Sequence, residues 1–304
     1  MVVTHGSLRS ARGRCAMTVG NFDGVHRGHR ALIDRVCAKA REQHLGSCIL
    51  TFEPHPREFF APKGAPARLT RLRDKLELLA GAGIDRVHVA RFDAAFAALP
   101  AARFIEDVLL RGLGMSWLLV GRDFRFGERR SGSFGTLEAA ARERGFGLEA
   151  MSDVQHDGER VSSSAVRAAL AAGDFARAER LLGHAYTISG RVAHGAKLGR
   201  ELGFPTANIV LRRSPPLSGI FVVEVDRYGA GVASIGRRPT VNPVPFPLLE
   251  VHLFDHAGEL YGEHLRVRFL EKLRDEQKYE GLEALKQAIA RDARQARDYF
   301  ANHG

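Results

Sequence analysis

Residues Val19–His29, VGNFDGVHRGH, decide how the first half of the chain folds. The apolar run from Ala16 to Val19 leads into Gly20, where a strand can end and the backbone can approach a ligand closely. Gly24 and Gly28 keep the turn open. Leu32, Ile33, Val36 and Ala40 then follow at helical spacing, which predicts a helix from about His26 to His44. Such a turn aims backbone N–H groups and the positive end of a helix dipole at one point, where an anion sits well. His26 and His29 are three residues apart, so both rings lie on one face and reach the same phosphate. The turn is not a Walker loop, because no Gly-Lys-Ser/Thr follows, and no Gly-x-Gly-x-x-Gly occurs in the chain. A zinc reading of His26 and His29 needs further ligands, and Cys15, Cys37 and Cys48 are scattered without a Cys-x-x-Cys pair.

Working outward, Gly46 to Phe52 reads as a buried strand running into Thr51–Arg57, TFEPHPR. Two prolines around His55 stiffen that loop, which read alone is either a rigid turn or part of a site. A helix from Arg71 to Ala80, a strand from Arg86 to Val89, a helix from Ala101 to Leu110 and a strand from Trp117 to Val120 follow. Strands alternating with helices predict a parallel sheet covered on both faces, with its site at the carboxyl ends of the strands. Gly20, Pro54 and Gly121 all fall there. Beyond Gly121, Asp123, Phe124 and Phe126 share a loop with Arg122, Arg125, Arg129 and Arg130, a mixture that can stack a ring and hold phosphate, or serve as an exposed loop with apolar anchors. Val161–Arg167, VSSSAVR, opens a helix over Ala165 to Ala172. Capping explains one or two of the hydroxyls, and a third with Arg167 one turn on surrounds an anion with donors.

The helical signal fades after Gly183, and short β-rich runs replace it: Tyr186 to Val192, Ile220 to Val225, Gly231 to Ile235, Leu249 to Phe254 and Leu265 to Phe269. These predict a small barrel, with a helix from about Leu282 to Phe300 closing the chain. Gly190, Gly195, Gly199 and Gly203 with Lys197 and Arg200 make a basic, glycine-rich segment suited to phosphate. In Pro205–Asn208, PTAN, the Thr206 and Asn208 oxygens project from one face and can hold Mg²⁺ with nucleotide phosphates.

A chain of 304 residues suits two domains, and 45% apolar with 26% charged residues is ordinary for a soluble protein. The net charge of +10 raises nucleic acid as a partner. However, the arginines alternate with acids along 139–144 and 291–297, and polyanionic small substrates explain a basic cleft equally well. Neither a nucleic-acid nor a membrane partner is expected. The first 14 residues carry arginines with no apolar signal core after them, and three cysteines without a pairing pattern suit a reducing cytoplasm, the expected location.

The turn at Gly20–His29 resembles the Gly-x-Phe-Asp-Gly-x-His-x-Gly-His signature of nucleotidyltransferases related to class I aminoacyl-tRNA synthetases. From Ala16 to Tyr279 the successive blocks resemble, in order, those of the bacterial bifunctional riboflavin kinase/FAD synthetases. The resemblance implies a Rossmann-like nucleotidyltransferase domain with a parallel sheet over residues 1–183, and a riboflavin kinase-like β-barrel closed by a C-terminal helix over 184–304. It implies riboflavin phosphorylation to FMN and then adenylyl transfer to FAD, with ATP as co-substrate, Mg²⁺ as cofactor, and riboflavin, FMN and ATP as partners; a homo-oligomer is left open.

At the first site it implies nucleotide contacts for Gly20, Asn21, Phe22, Asp23, His26 and His29, with the two histidines catalytic. Ser162, Ser163, Ser164 and Arg167 would bind the triphosphate, and His55, Asp123, Phe124 and Phe126 the flavin. At the second site, Leu202–Asn208 with Gly199 and Arg200 matches the kinase signature, so Gly190, Gly195, Lys197, Gly199, Thr206 and Asn208 would bind ATP, the last two also the metal. Glu250 matches the family's proposed catalytic base, and Arg274 and Glu276 lie in its flavin-side element. Ser234 stands where the family has Asn and His256 where it has Phe.

Overall fold

The structure, a computed structural model, describes residues 1–6, 13–195, 198–236, 246–256 and 258–303. The chain forms two compact units, one of residues 1–66 with 72–162, the other of 67–71 with 163–304.

The first unit is built on a six-stranded sheet of β1 (Val2–His5), β2 (Cys15–Val19), β3 (Gly46–Glu53), β4 (Arg86–Arg91), β5 (Met115–Gly121) and β6 (Gly147–Met151). Its order is β1-β4-β3-β2-β5-β6, and every pairing is parallel. Alternation splits the central strand between two cores. Cys15, Met17 and Val19 pack with Phe104, Leu118 and Leu137 on one face, while Ala16 packs with Phe22, Ile33 and Leu79 on the other. Burial on both faces is what a parallel sheet requires. From β2 the chain steps outward through β3 to β4, then returns to the far side of β2 for β5 and β6. The crevice beyond the ends of β2 and β5 is therefore the switch point, where ligands bind in sheets of this kind.

The helix predicted from His26 runs Arg27–Glu42, with Ile33, Val36 and Ala40 buried. The one expected over Ala101 to Leu110 becomes a short turn, Ala101–Arg103, and then a π-wound segment, Phe104–Gly112. Its buried residues Phe104, Ile105, Val108 and Leu109 repeat every four positions, a spacing that wider winding keeps on one face. A two-strand hairpin, β7 (Gln155–His156) and β8 (Glu159–Arg160), leads out of the unit.

In the second unit, the helices Ser163–Ala171 and Phe175–Leu182 precede the barrel, and Phe175 packs edge-on to Phe221 with ring centres 5.9 Å apart. This grouping divides the chain at Ser162/Ser163, two helices before the change of composition at Gly183. The barrel consists of β9 (Thr187–Ala193), β10 (Ala207–Val210), β11 (Gly219–Val225), β12 (Gly229–Gly236), β13 (Leu248–Leu253) and β14 (His264–Arg274). It closes in the order β10-β13-β12-β11-β14-β9, antiparallel throughout. The final helix, Leu282–His303, packs Ala293 and Ala296 against Val222 and Val232 on the outer face of the barrel. Leu282, expected in that stripe, is exposed.

Candidate active sites

The turn after β2 is tightly built. Phe22 and Val25 have φ of 49° and 42°, and Gly24 has 87°. The first two are left-handed without being glycine, a strain that surrounding packing must hold in place. Phe22 is completely buried, and a Cβ on Gly20 would stand 3.1 Å from its ring. Its ring therefore belongs to the core and meets the site through His29, 4.9 Å away between ring centres, instead of lining it as expected from sequence. Thr51 donates its hydroxyl to the Asn21 carbonyl at 3.2 Å, tying the turn to β3. The Asn21 Oδ1 is buried without a partner among the described residues, and Asp23 is buried.

His26 caps the helix, its Nδ1 accepting from the His29 backbone N–H at 3.2 Å. The two imidazoles stack with centres 3.6 Å apart. A Cβ on Gly28 would come within 3.2 Å of the His26 ring, so the spacing of the motif is a packing requirement as well. Burial, then the neighbouring His26, then the Lys75 ammonium hold His29 well below the usual imidazole range. It is neutral near pH 7, offering an N–H donor without a formal charge. Lys75, buried in the helix Leu72–Gly81, drew no attention in the sequence because it sits within an ordinary amphipathic pattern.

Around the same crevice, His55 caps the helix Pro56–Phe60 through Nδ1, which accepts from Arg57 N–H at 3.0 Å. After β5, a Cβ on Gly121 would lie 2.8 Å from Asp123 Oδ1, so the carboxylate folds back over the turn. Phe124 stacks on Phe126 at 5.4 Å, but Phe126 is buried in the core and supports the outer ring. Ser162 ends the first unit, whereas Ser163, Ser164 and Arg167 belong to the second, where Arg167 Nε donates to the Ala67 carbonyl at 2.6 Å.

The barrel gathers its expected residues by register. Asn208 on β10 faces Glu250 on β13, which faces Ser234 on β12; Ser234 in turn faces Ile220 on β11. Directly opposed residues share a face, so this row runs across four strands. The neighbours Ala207, Ile209, Leu249, Val251 and Ala233 are buried in the barrel, so the row lies on the outer face. Asn208 is itself buried, with Nδ2 donating to the Thr206 carbonyl at 3.2 Å and Oδ1 left without a partner among the described residues. An orphaned amide oxygen beside the Thr206 hydroxyl is the donor set a hard cation such as Mg²⁺ takes, so the residues fit that group.

One cavity borders this row, and a second meets that cavity at Thr206. The first, about 240 Å³, is bordered by Glu250, Ser234, Arg274, Glu276 and Thr206, with Ile289 and Asp292 of the final helix. The other, about 410 Å³, is bordered by Arg200, Thr206, His256 and Tyr261. Thr206 borders both. Gly195 lies so close to Asn208 that a Cβ would fall 2.5 Å from Nδ2, and one on Gly199 would fall 2.5 Å from the Phe204 carbonyl. Gly190 is different. A Cβ there would strike Ile209 and Arg71, whose Nη1 donates to the Ser189 carbonyl at 2.6 Å and Nη2 to the Val210 carbonyl at 2.9 Å. Its small size serves that strut. Lys197 lies outside the described residues.

Arg274, expected at the flavin, borders the first cavity, where Nε and Nη2 pair with Asp292 at 2.8 and 2.5 Å. Burial first, then the Glu250 charge, raises the Glu276 carboxyl above its ordinary range, with Arg274 acting in the opposite direction. Arg71 and Asp292 were both missed in the sequence. Asp292 left one trace, an acid directly before Ala293 in the apolar stripe of the last helix.

A model of the FAD synthetase family matches residues 8–165, and one of the riboflavin kinase family matches 182–300. Curated proteins named bifunctional riboflavin kinase/FMN adenylyltransferase are similar along nearly the whole chain. That of Escherichia coli K12 is 49% identical, covering 97% of this chain and 96% of its own length. The chain belongs to the bifunctional riboflavin kinase/FMN adenylyltransferase family. The relative from Pseudomonas fluorescens is 50% identical over 96% of this chain and 94% of its own. Among solved structures, a Streptococcus pneumoniae chain described as a macrolide-efflux protein has a TM-score of 0.78 at 25% identity, covering 96% of this chain and 97% of that one. Among the described residues, no helix is long and apolar enough to cross a membrane.

Proposed function

We infer that the chain makes FAD from riboflavin in two steps, the first in residues 184–304 and the second in residues 1–183. The observation that carries the reading is Thr206, shared by a cavity with three carboxylates and a second cavity beside Arg200. Riboflavin takes the first cavity and ATP the second. The ribityl 5′-hydroxyl oxygen attacks the γ-phosphorus, the bond from that phosphorus to the β,γ-bridging oxygen breaks, and ADP leaves. Glu250 orients the hydroxyl and accepts its proton. Thr206 and Asn208 would hold Mg²⁺, which when bound neutralises phosphate charge. The family motif assigns Gly195, Lys197 and Gly199 to the ATP phosphates, and Glu276 with Arg274 to the flavin side.

In the second step an FMN phosphate oxygen attacks the α-phosphorus of ATP and pyrophosphate leaves. That phosphate is already ionised, so no base is required, and catalysis rests on in-line placement and charge stabilisation. His26 and His29 stand at a helix start, His29 as a neutral donor, on a turn shaped by Gly20, Asn21 and Asp23. The family motif assigns Ser162, Ser163, Ser164 and Arg167 to the triphosphate, and His55, Asp123 and Phe124 to the flavin side. The partners are small molecules, and the three free cysteines suit a cytoplasmic setting. The test is chromatography of a mixture of protein, riboflavin, ATP and Mg²⁺. FMN should appear first and FAD after it. FMN without FAD removes the second assignment, and no FMN removes the first.

A further inference from the structure

Thr206 borders both barrel cavities, yet it stands just outside the strand that leads from it. The ladder between β10 and β13 begins at Ala207, opposite Val251, and continues with Asn208 opposite Glu250. Carried one step back, the same register would set Thr206 opposite His252. A backbone at this point needs an anchor other than the ladder to keep one direction. Its direction has a consequence, because a Cβ on Gly199 would stand 3.3 Å from Thr206 Oγ1. The hydroxyl therefore lies against the glycine-rich segment.

Side chains supply the anchor. His252 Nδ1 lies 2.9 Å from the Pro205 carbonyl oxygen, one peptide before Thr206. A carbonyl can only accept, so Nδ1 carries the hydrogen. Asn208 Nδ2 donates to the next carbonyl, that of Thr206, at 3.2 Å. The peptide unit is planar, so these two bonds orient the planes on either side of the Thr206 Cα. The imidazole is itself held edge-on to two phenyl rings, Phe204 at 5.4 Å and Phe254 at 6.0 Å between ring centres. Its backbone lies within the barrel ladder, opposite Val232 on β12.

We propose that His252 is a positioning residue for riboflavin phosphorylation: its Nδ1–H holds the Pro205 carbonyl and so aims the Thr206 hydroxyl between the two cavities. The proposal rests on the kinase reading of the barrel. A hydroxyl aimed beforehand needs no reorientation during phosphoryl transfer, whereas a loose one lowers the rate more than it weakens riboflavin binding.

Two substitutions separate the donor from the ring. His252→Asn keeps an N–H donor attached to Cγ, as Nδ1 is, and deletes the ring. His252→Phe keeps a ring against Phe204 and Phe254 and deletes the donor. The test measures kcat and KM for FMN formation in the intact protein and both variants. His252→Phe should lower kcat by about tenfold, with the KM for riboflavin within about threefold of the parent. His252→Asn should keep kcat within about threefold of the parent. A ring that only packs predicts the reverse ranking. That ranking, equal losses in the two variants, no loss in either, or a change confined to KM would overturn the proposal. A second readout involves no turnover. Nitrogen-15 NMR of the histidine-labelled parent at about pH 8.5, above the ordinary imidazole range, should show hydrogen on His252 Nδ1, its signal assigned by its absence from His252→Asn. Hydrogen on Nε2 instead would overturn the proposal. If His252→Phe does not fold, as judged by its melt, His252→Ala takes its place, and equal kcat values for His252→Ala and His252→Asn overturn it. A parent protein that makes no FMN would instead remove the kinase reading itself.

Discussion

Arg71→Ala should destabilise the barrel, although the residue lies more than a hundred positions before the strands it joins. β9 and β10 pair directly only at Ala193–Asn208 and Val192–Ile209. Beyond that point the Arg71 guanidinium bridges the Ser189 and Val210 carbonyls, at 2.6 and 2.9 Å. Each hydrogen bond from a charged donor is worth about 1.5–3 kcal/mol, and water reaching a half-buried site replaces part of that. The expected loss is therefore about 2–4 kcal/mol. At about 3 °C per kcal/mol for a unit of this size, the barrel should melt roughly 6–12 °C lower. Calorimetry gives the melt, and riboflavin kinase activity remaining after timed heating reports on the barrel specifically. The KM for ATP in that reaction should also rise, because β9 and β10 carry the two ends of the glycine-rich segment. Gly190→Ala should act in the same direction, since its Cβ would stand 2.6 Å from Arg71 Nη1 and 2.3 Å from Ile209 Cγ2. A fragment starting at Ala185 lacks both Arg71 and the Phe175 packing on Phe221, so it should melt below the Arg71→Ala value. An Arg71→Ala barrel melting within about 1 °C of the parent would refute the reasoning, because no bridge of that geometry could then be contributing.

His29→Ala should reduce FAD formation from FMN by roughly 10²–10³-fold, as for loss of one charge-stabilising donor, with FMN formation close to the parent in a coupled assay. The same ring predicts a pH effect on stability. Its folded pKa is depressed, so the unfolded chain binds more protons; the stability it contributes is full above about pH 6.5 and is lost as pH falls below it. His88, likewise depressed chiefly by burial, adds to this, so the urea midpoint should fall between about pH 7 and pH 5, less steeply in His29→Ala. Asn208→Ala removes the orphaned oxygen and should raise the Mg²⁺ needed for half-maximal FMN formation by about tenfold, measured by titration at fixed ATP.

The turn after β2 was legible because its glycines and histidines are each needed at a fixed spacing: Gly20 clears the Phe22 ring, Gly28 clears His26, and His26 caps the helix. Four of the sheet strands, β2 to β5, were legible as apolar runs, whereas β1 and β6, which are not fully buried, gave no such run. β10 was read through its chemistry, because a four-residue strand beside Pro205 is too short for alternation to show. Phe22 was misread for a related reason. Sequence marks a residue as belonging to a site motif without saying whether its side chain faces the ligand or the core. The Arg71 strut had no local signal at all, since its partners lie 118 and 139 residues away and accept through backbone carbonyls, which carry no side-chain identity. Asp292 pairs with Arg274 across the junction of a strand and a helix, so neither period of side-chain repetition brings the two together on paper.

Two chemically independent sites in one chain are the centre of the account, and crossing two single substitutions against two substrates tests it most directly. Glu250→Gln and His29→Ala are each assayed with riboflavin and, separately, with FMN, in the presence of ATP and Mg²⁺. Glu250→Gln keeps the size of the side chain but not its proton acceptor, so FMN formation from riboflavin should fall by roughly 10²–10⁴-fold while FAD formation from supplied FMN persists. His29→Ala should show the reverse, accumulating FMN from riboflavin and converting little of it to FAD. Loss of both activities in either folded variant, or near-parent rates in both, would contradict the division of labour.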